Sequence, residues 1–163
     1  MPPGNDPLGV VAALWRYPIK SFAGERLRRV FVGPFGLLGD RRFTVADTEG
    51  AMTARRAPAL LGFRARYAEA ESAEHATVLT PNGDAVAIDD DTLLEQLADV
   101  LPTATSFATS PLGFFDAAPL HILGEPSIAA LATELGGDRV NVYTATGALQ
   151  DVHRVEAKPS LVA

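Results

Sequence analysis

Short apolar runs separated by turn residues dominate the first half of the chain. Residues 62–67 alternate strictly, with Phe63, Ala65 and Tyr67 on one face and arginines on the other, as in a half-buried strand. The Asn82-Gly83 pair between two apolar runs is typical of a β-hairpin. On these grounds the sequence predicts strands over residues 10–15, 27–32, 42–47, 51–53, 62–67, 77–79 and 85–88. Short strands at this spacing are typical of a small barrel or a sandwich.

The apolar spacing becomes helical after residue 90. Leu93 and Leu97 fall on one helical face, Asp91 is placed to cap the N-terminus, and Pro102 is placed to stop the helix. A second helix is predicted over residues 127–135, before a Gly-Gly pair. The sequence also predicts a helical turn at 58–61, a loop at 106–117, a strand at 140–143 and no pattern beyond it. The predicted fold class is mainly β (α+β), with two or three helices.

Composition and charge narrow the function classes. The 163 residues suit one domain, or one small domain and part of another. The net charge of −6 and the lack of a Lys/Arg-rich run argue against nucleic acid as a partner. No cysteine is present, which excludes disulfides, thiolate nucleophiles and Cys metal sites. The N-terminus lacks the pattern of a signal peptide and no apolar stretch reaches membrane-span length, so we expect a soluble cytoplasmic protein without a membrane partner.

Polar residues concentrate in three segments where strands are predicted to end, at 17–21, 39–42 and 53–56. Together these segments supply Lys20, Ser21, Arg41, Arg55 and Arg56. Because the last two belong to the hairpin built on the strand at 42–47, these cations can meet in space. Arginine forks and lysine charges suit phosphate or carboxylate groups. In a chain with net negative charge, the set indicates a small anionic ligand rather than a polyanion.

A purely structural interpretation stands beside the binding site. Arginines at strand ends are often solvated or paired with a neighbouring carboxylate, here Asp40 or Asp47. Other candidates for chemistry are weaker. The three histidines, His75, His121 and His153, are scattered without the spacing of a zinc site, so no metal site is predicted.

The cationic segments resemble a known family. RYPIKS (16–21), followed by GLLGDRRFTVADTEGAMTARRAPAL (36–60), resembles the N-terminal β-barrel domain of MOSC proteins. That group takes its name from the C-terminal domain of molybdenum cofactor sulfurase and includes the mitochondrial amidoxime-reducing component. APLHILGEPSIAALATELGGDRVNVY (118–143) resembles the opening of the MOSC domain proper. The Pro- and Gly-rich residues 1–8 predict a flexible tail. The resemblance implies a MOSC N-terminal β-barrel domain at 9–117, and the incomplete start of a MOSC β-barrel with an atypical tail at 118–163.

The resemblance also implies a ligand, the molybdenum cofactor, which is a pterin with a terminal phosphate and a dithiolene-bound metal. The family's YP-x-KS, DR and T-x-R motifs, and the hydroxyl-rich segment before the MOSC helix, carry its cofactor contacts. By resemblance these contacts fall on Lys20, Ser21, Arg41, Thr53, Arg55 and Ser127. No catalytic residue is assigned.

The chain departs from the family after residue 143. The stretch TATGALQDVHRVEAKPSLVA contains neither the family's Arg-Pro-Asn motif nor the cysteine that ligates molybdenum there. A soft thiolate is the ligand that this metal favours from a protein. We therefore expect a truncated or frame-altered MOSC protein, or a fragment of one, that is inactive by itself.

Three functional hypotheses follow. The first is a MOSC-family module that binds the molybdenum cofactor through a cationic pocket, related to molybdoenzymes that reduce N-hydroxylated compounds with electrons from a ferredoxin-like protein. The second is a non-catalytic domain that binds a pterin or another anion. The third is a degenerate fragment that binds nothing. A pyridoxal phosphate role attaches to the family through sulfurase, but no lysine here has flanking residues that support it.

Overall fold

Strands of two to five residues make up most of the regular structure. The structure is a computed structural model that describes residues 11–103, 105–134, 141–143 and 149–151. Its elements there are β1 (Leu14–Arg16), β2 (Glu25–Leu27), β3 (Val32–Gly33), β4 (Gly36–Leu37), β5 (Phe43–Asp47), β6 (Gly50–Ala51), a 3-10 helix (Pro58–Gly62), β7 (Arg64–Tyr67), β8 (Ala76–Leu79), β9 (Ala85–Ala87), α1 (Asp91–Ala98), β10 (Ser106–Thr109), α2 (Glu125–Glu134), β11 (Asn141–Tyr143) and β12 (Leu149–Asp151). The predicted mainly β class is confirmed.

The named strands pair in antiparallel fashion. Two three-stranded sheets, with the orders β10-β5-β6 and β7-β8-β9, carry most of the pairing. Three two-stranded pairs, β1-β2, β3-β4 and β11-β12, complete it. The β8-β9 hairpin turns at Asn82-Gly83 as predicted, with Leu79 opposite Ala85. Residues 63, 65 and 67 are buried and 64 and 66 are exposed, so the predicted alternation of β7 is confirmed.

The segment between β1 and β2 joins the two larger sheets. Ile19 makes a parallel bridge to Phe43 of β5, and Ala23 makes one to Arg64 of β7. The Lys20 N–H donates to the Phe43 carbonyl at 2.8 Å, and the Ala23 N–H donates to the Phe63 carbonyl at 2.8 Å. The stretch that carries the YP-x-KS motif is therefore part of the barrel wall and not a free loop.

A single apolar cluster fills the space between the sheets and α1. Ile19 and Phe22 enter it from the motif segment, and Leu93 and Leu97 enter it from α1. All four residues are fully buried, and each side chain of this size contributes roughly 1.5–3 kcal/mol to folding. The motif is thus anchored by apolar side chains that alternate with its polar ones.

Three predicted elements differ from the structure. Strand β10 lies where a loop was predicted, and it pairs with β5 over its full length. The predicted strand at 27–32 is wrong, because β2 ends at Leu27 and the chain re-enters regular structure only at β3. Strand β12 lies in the tail, where no pattern was predicted. For β10, pairing with the distant strand β5, rather than local propensity, sets the element.

Both predicted long helices form, with different starts. The N-cap of α1 is Asp90 and not Asp91, and the Asp90 carboxylate accepts the Thr92 N–H at 2.9 Å. Helix α2 begins at Glu125, two residues before the prediction, and its predicted last residue, 135, lies outside the described residues. The residues on both sides of the predicted boundary at 117/118 are described, and that boundary stays a prediction.

Gly39 is a position where only glycine fits. It has a φ of +78°, and a Cβ there would lie 2.8 Å from Cε2 of Tyr67, whose hydroxyl donates to the Gly39 carbonyl at 2.9 Å. We expect Gly39→Ala to lower the free energy of unfolding by roughly 2–4 kcal/mol, since it combines backbone strain with a clash. Chemical denaturation measures this loss.

Gly83→Ala is the matched control for Gly39→Ala. Gly83 has a φ of +92° but has nothing within 4 Å of its would-be Cβ. It should therefore lose only the backbone contribution, about 1 kcal/mol. Equal losses for the two variants would contradict the clash with Tyr67.

Candidate anion-binding site

The backbone is left-handed at two of the residues singled out by the motifs. Ser21 has a φ of +67° and Arg41 has a φ of +47°, and they are the non-glycine residues with positive φ in the described part of the chain. For a residue with a side chain this conformation costs about 1–2 kcal/mol. The surrounding hydrogen bonds hold both in place: the Arg41 N–H donates to the Tyr17 carbonyl, and the Ala54 N–H donates to Ser21 Oγ at 3.1 Å.

Lys20 and Arg55 meet at one carboxylate, that of Asp116. Lys20, only 5% exposed, forms an ion pair with Asp116 Oδ1 through its Nζ. The Nη2 of the exposed Arg55 lies 3.6 Å from Asp116 Oδ2. The Asp116 side chain is 24% exposed to solvent. Two cations from separate segments therefore flank one negative group at the surface.

Arg41 contacts the same loop at Phe115, the residue before Asp116. Its guanidinium carbon lies 4.3 Å from the centre of the Phe115 ring, and its Nη2 donates to the Pro119 carbonyl at 2.9 Å. The Nε of Arg41 also donates to Asp40 Oδ2 at 2.8 Å. Lys20 and Arg41 thus contact consecutive residues, Asp116 and Phe115, so the two predicted cations converge on one segment.

The buried Asp40 carboxylate neutralises the charge of Arg41. Its Oδ1 accepts the Tyr17 N–H at 2.7 Å, and its Oδ2 lies 2.6 Å from Arg41 Nη2. Burial raises the pKa of Asp40, while the Arg41 charge and the Tyr17 N–H oppose the rise. The pairing of Arg41 with Asp40 matches the structural interpretation of this arginine, and its contacts with residues 115 and 119 lie beyond that interpretation.

The hydroxyl residues of the prediction lie in different surroundings. Ser21 is fully buried, and its hydroxyl serves the backbone of Ala54. Thr53 is half-buried and begins a turn, since its carbonyl accepts the N–H groups of Arg56 and Ala57 at 2.9 Å each. Ser127 is exposed in α2, and within the described ranges no hydrogen bond joins it to Lys20, Arg41 or Arg55. Its assignment to the site stays a prediction.

Asp116 is the site residue that sequence reasoning missed. Its partner Lys20 lies 96 positions away, and Asp116 follows two phenylalanines in a predicted loop. The only signal was an isolated carboxylate in an apolar stretch that the fold brings against two cations. A lone aspartate of this kind cannot be paired with its cations before the topology is known.

Arg56, the fourth cation of the predicted set, forms its ion pairs outside the site. Its Nη2 donates to Asp47 Oδ2 at 2.7 Å and lies 2.9 Å from Glu49 Oε2. The Asp47 side chain is 1% exposed and also accepts the Glu49 N–H at 2.9 Å. For Arg56 the structural interpretation is therefore correct, because the guanidinium is used within its own hairpin.

Asp47→Asn should change how stability depends on pH. The hydrogen bond from Arg56, with those from Glu49 and Thr103, lowers the pKa of Asp47 below its usual 3.8. A lowered folded-state pKa stabilises the protein above the unfolded value and loses that contribution as the pH falls through the folded value. Wild type should therefore lose stability more steeply below about pH 4 than Asp47→Asn, measured by thermal unfolding across a pH series.

Asp84→Asn, in the exposed turn between β8 and β9, is the control for the Asp47 experiment. It removes the same charge without removing a partner of an arginine. If the stability of Asp84→Asn fell with decreasing pH as gradually as that of Asp47→Asn, net charge, and not the Asp47–Arg56 pair, would set the pH dependence of stability.

Arg16, the first cation of RYPIKS, has a structural role. It is 0% exposed and forms an ion pair with Glu25 at 2.7 Å. Its guanidinium carbon also lies 4.5 Å from the centre of the Tyr67 ring. The two cations of the motif therefore have different roles. Arg16 is paired in the interior at one end of the motif, and Lys20 is paired with Asp116 at the other.

The described residues contain no group of three or more His, Asp or Glu side chains placed to hold a metal ion. Among the same residues, no helix combines the length and apolar character needed to cross a membrane.

Comparison with known proteins identifies the family. A search of curated proteins gave no match for the chain. The family model for the "MOSC N-terminal beta barrel domain" matches residues 8–110, which include the motif segments that carry Lys20, Arg41 and Arg55. With well over half of its length matched and the mainly β architecture described above, the chain belongs to the MOSC N-terminal beta barrel domain family.

Proposed function

We propose that the chain binds the molybdenum cofactor through its phosphate-bearing pterin, at the site formed by Lys20, Arg41 and Arg55. The observation that carries the proposal is the placement of Lys20 and Arg55 on either side of the Asp116 carboxylate. That carboxylate marks a position, open to solvent, where the fold already stabilises a negative group. A phosphate has more acceptor oxygens and more charge than a carboxylate, so it competes well for the same donors.

The left-handed backbone at Ser21 and Arg41 supports the same site. Strained conformations persist where the surrounding structure over-determines them, and they cluster at ligand-binding positions. Here Ser21 follows Lys20 directly, and Arg41 belongs to the cationic set itself. The conformation directs Lys20 and Arg41 towards the segment at 115–119 from two separate turns.

The donor set fits the pterin phosphate better than it fits the metal. Lysine and arginine supply charge-assisted hydrogen bonds to phosphate oxygens, and the Phe115 ring supplies an aromatic face beside Arg41. The chain has no cysteine, so no thiolate of its own can ligate molybdenum. When bound, the cofactor supplies oxygen-transfer and electron-transfer chemistry. The proposal for these residues is confined to binding and orienting its organic part.

Cofactor content after purification from a molybdenum-cofactor-producing host tests the proposal. Molybdenum is measured by metal analysis, and the pterin by its fluorescence after release and oxidation. Loss of one buried charge contact to phosphate costs about 1.5–3 kcal/mol, so Lys20→Met should lower pterin affinity by roughly tenfold or more. Arg66→Gln, an exposed arginine of β7, is the control and should bind as wild type does.

Asp116→Asn separates a ligand site from a structural ion pair. The substitution removes the internal carboxylate that occupies Lys20 and Arg55, so pterin affinity should rise. If these contacts served stability alone, Asp116→Asn would lower the melting temperature and leave pterin content unchanged. Equal pterin content in wild type, Lys20→Met and Asp116→Asn would refute the proposal.

A further inference from the structure

A cleft of about 200 Å³ lies beside the β3-β4 hairpin, and neither Lys20 nor Arg55 is among the residues that line it. Phe31 and residues 33–39 line it, together with Ala73 and residues 110–113. Asp40 and Arg42 belong to the same lining. The family motifs do not include Arg42, which follows the DR pair.

The Arg42 side chain lacks a hydrogen-bond acceptor among the described residues. Its Nε is buried, and it has no hydrogen-bond partner among the described residues. Within those residues its guanidinium forms no ion pair either. A half-buried arginine without an acceptor loses hydration and gains nothing in return, which costs free energy.

The buried arginines in the described part of the chain, Arg16 and Arg41, have acceptors. Arg16 is paired with Glu25, and Arg41 is paired with Asp40 and the Pro119 carbonyl. The Asp40 carboxylate also lines the cleft, but the Tyr17 N–H and Arg41 already occupy its oxygens. The Asp40 carboxylate therefore neutralises Arg41, and Arg42 has no paired acidic group among the described residues.

The walls of the cleft are apolar and exposed. Phe31 is 69% exposed and Phe35 is 57% exposed, and Leu38 and Leu112 also keep a large part of their surface in solvent. Aromatic side chains with this exposure gain free energy when a flat apolar group covers them. The cleft volume matches a single ring with a short substituent rather than a pterin and its metal.

We propose that this cleft binds an aromatic carboxylate, with the carboxylate on the Arg42 guanidinium and the ring against Phe31 and Phe35. The carboxylate meets the terminal Nη groups of Arg42, since the buried Nε has no accessible surface, and the ring removes apolar surface from water at the same time. This site is separate from the proposed cofactor site, and it does not depend on that proposal.

Fluorine NMR with 4-fluorobenzoate as the probe tests the inference on the full chain. We expect a dissociation constant on the order of 1 mM for so small a ligand. The neutral isostere 4-fluorobenzyl alcohol should bind about tenfold more weakly, because it cannot accept a charge-assisted bidentate contact. Arg42→Gln should weaken 4-fluorobenzoate by a similar factor.

Two arginine variants make the result specific. Arg66→Gln removes the same charge from an exposed site, and Arg55→Gln removes a residue of the proposed cofactor site; both should bind 4-fluorobenzoate as wild type does. Since Arg55→Gln affects only the cofactor site, the two proposals fail independently. Far-ultraviolet circular dichroism checks that Arg42→Gln is folded.

Three outcomes would overturn the inference. The first is no binding of 4-fluorobenzoate by the folded protein. The second is binding that Arg42→Gln leaves unchanged. The third is equal affinity for inorganic phosphate with the same dependence on Arg42, which would make the cleft a site for simple anions without a role for its apolar walls.

Discussion

Replacing Arg16 by Met should lower the free energy of unfolding by about 3–5 kcal/mol, the usual loss when one partner of a buried ion pair is removed. The guanidinium lies at the centre of a network. Its Nε donates to Glu25 Oε1 at 2.8 Å, and its Nη1 donates to the carbonyls of Leu38 at 3.0 Å, Ala70 at 2.8 Å and Ser72 at 3.1 Å. Methionine fills a similar volume but leaves the Glu25 carboxylate with only the Tyr67 N–H as a donor, and it removes the arginine donor from all three carbonyls.

Urea unfolding followed by circular dichroism measures the effect of Arg16→Met. Arg66→Met is the matched control, because Arg66 is exposed on β7 beside Tyr67 and the same change there should alter stability by at most about 0.5 kcal/mol. A chain too unstable to fold would agree with the prediction. A loss below about 1 kcal/mol in Arg16→Met would contradict it, since the network would then contribute little.

Arg41→Met should destabilise the fold by a similar amount, about 3 kcal/mol at neutral pH. The side chain is 6% exposed, and its removal leaves the Asp40 carboxylate buried with only the Tyr17 N–H as a nearby donor. The loop contacts to Phe115 and Pro119 are lost as well. Thermal and urea unfolding measure the loss, and the double variant Arg41→Met/Asp40→Asn should recover part of it.

The pH dependence of Arg41→Met distinguishes a lost charge pair from lost packing. Burial raises the pKa of Asp40, and Arg41 opposes the rise, so its removal raises the pKa further. A carboxyl with a raised folded-state pKa stabilises the fold at low pH and loses that contribution as the pH rises through the folded value. Arg41→Met should therefore lie closer to wild type at low pH than at neutral pH. A loss independent of pH would point to packing alone.

The elements that could be predicted from the sequence are those whose pattern is local. Strand β7 alternates over its own residues, the Asn82-Gly83 turn sets its own hairpin, and α1 carries its apolar face within two turns. Strand β10 has only Phe107 as a strong apolar residue and forms because it pairs with β5. A strand of this kind depends on a partner that lies far away in the sequence.

The candidate site, like the fold, could be predicted from the sequence only in part. Lys20, Arg41 and Arg55 were identified from motifs, and the fold brings all three to one segment. Asp116 was missed because its position depends on how residues 110–119 return to the barrel. Arg56 was grouped with the site, but local geometry pairs it with Asp47 inside its own hairpin.

The two parallel bridges of the motif segment couple the site to the whole barrel. The N–H of Lys20 donates to the Phe43 carbonyl, and the N–H of Ala23 donates to the Phe63 carbonyl. Neither hydrogen bond can break without separating the motif segment from a sheet. Hydrogen exchange at these amides then requires cooperative unfolding rather than local fluctuation. A ligand at Lys20 would meet a preorganised backbone and would lose little conformational entropy on binding.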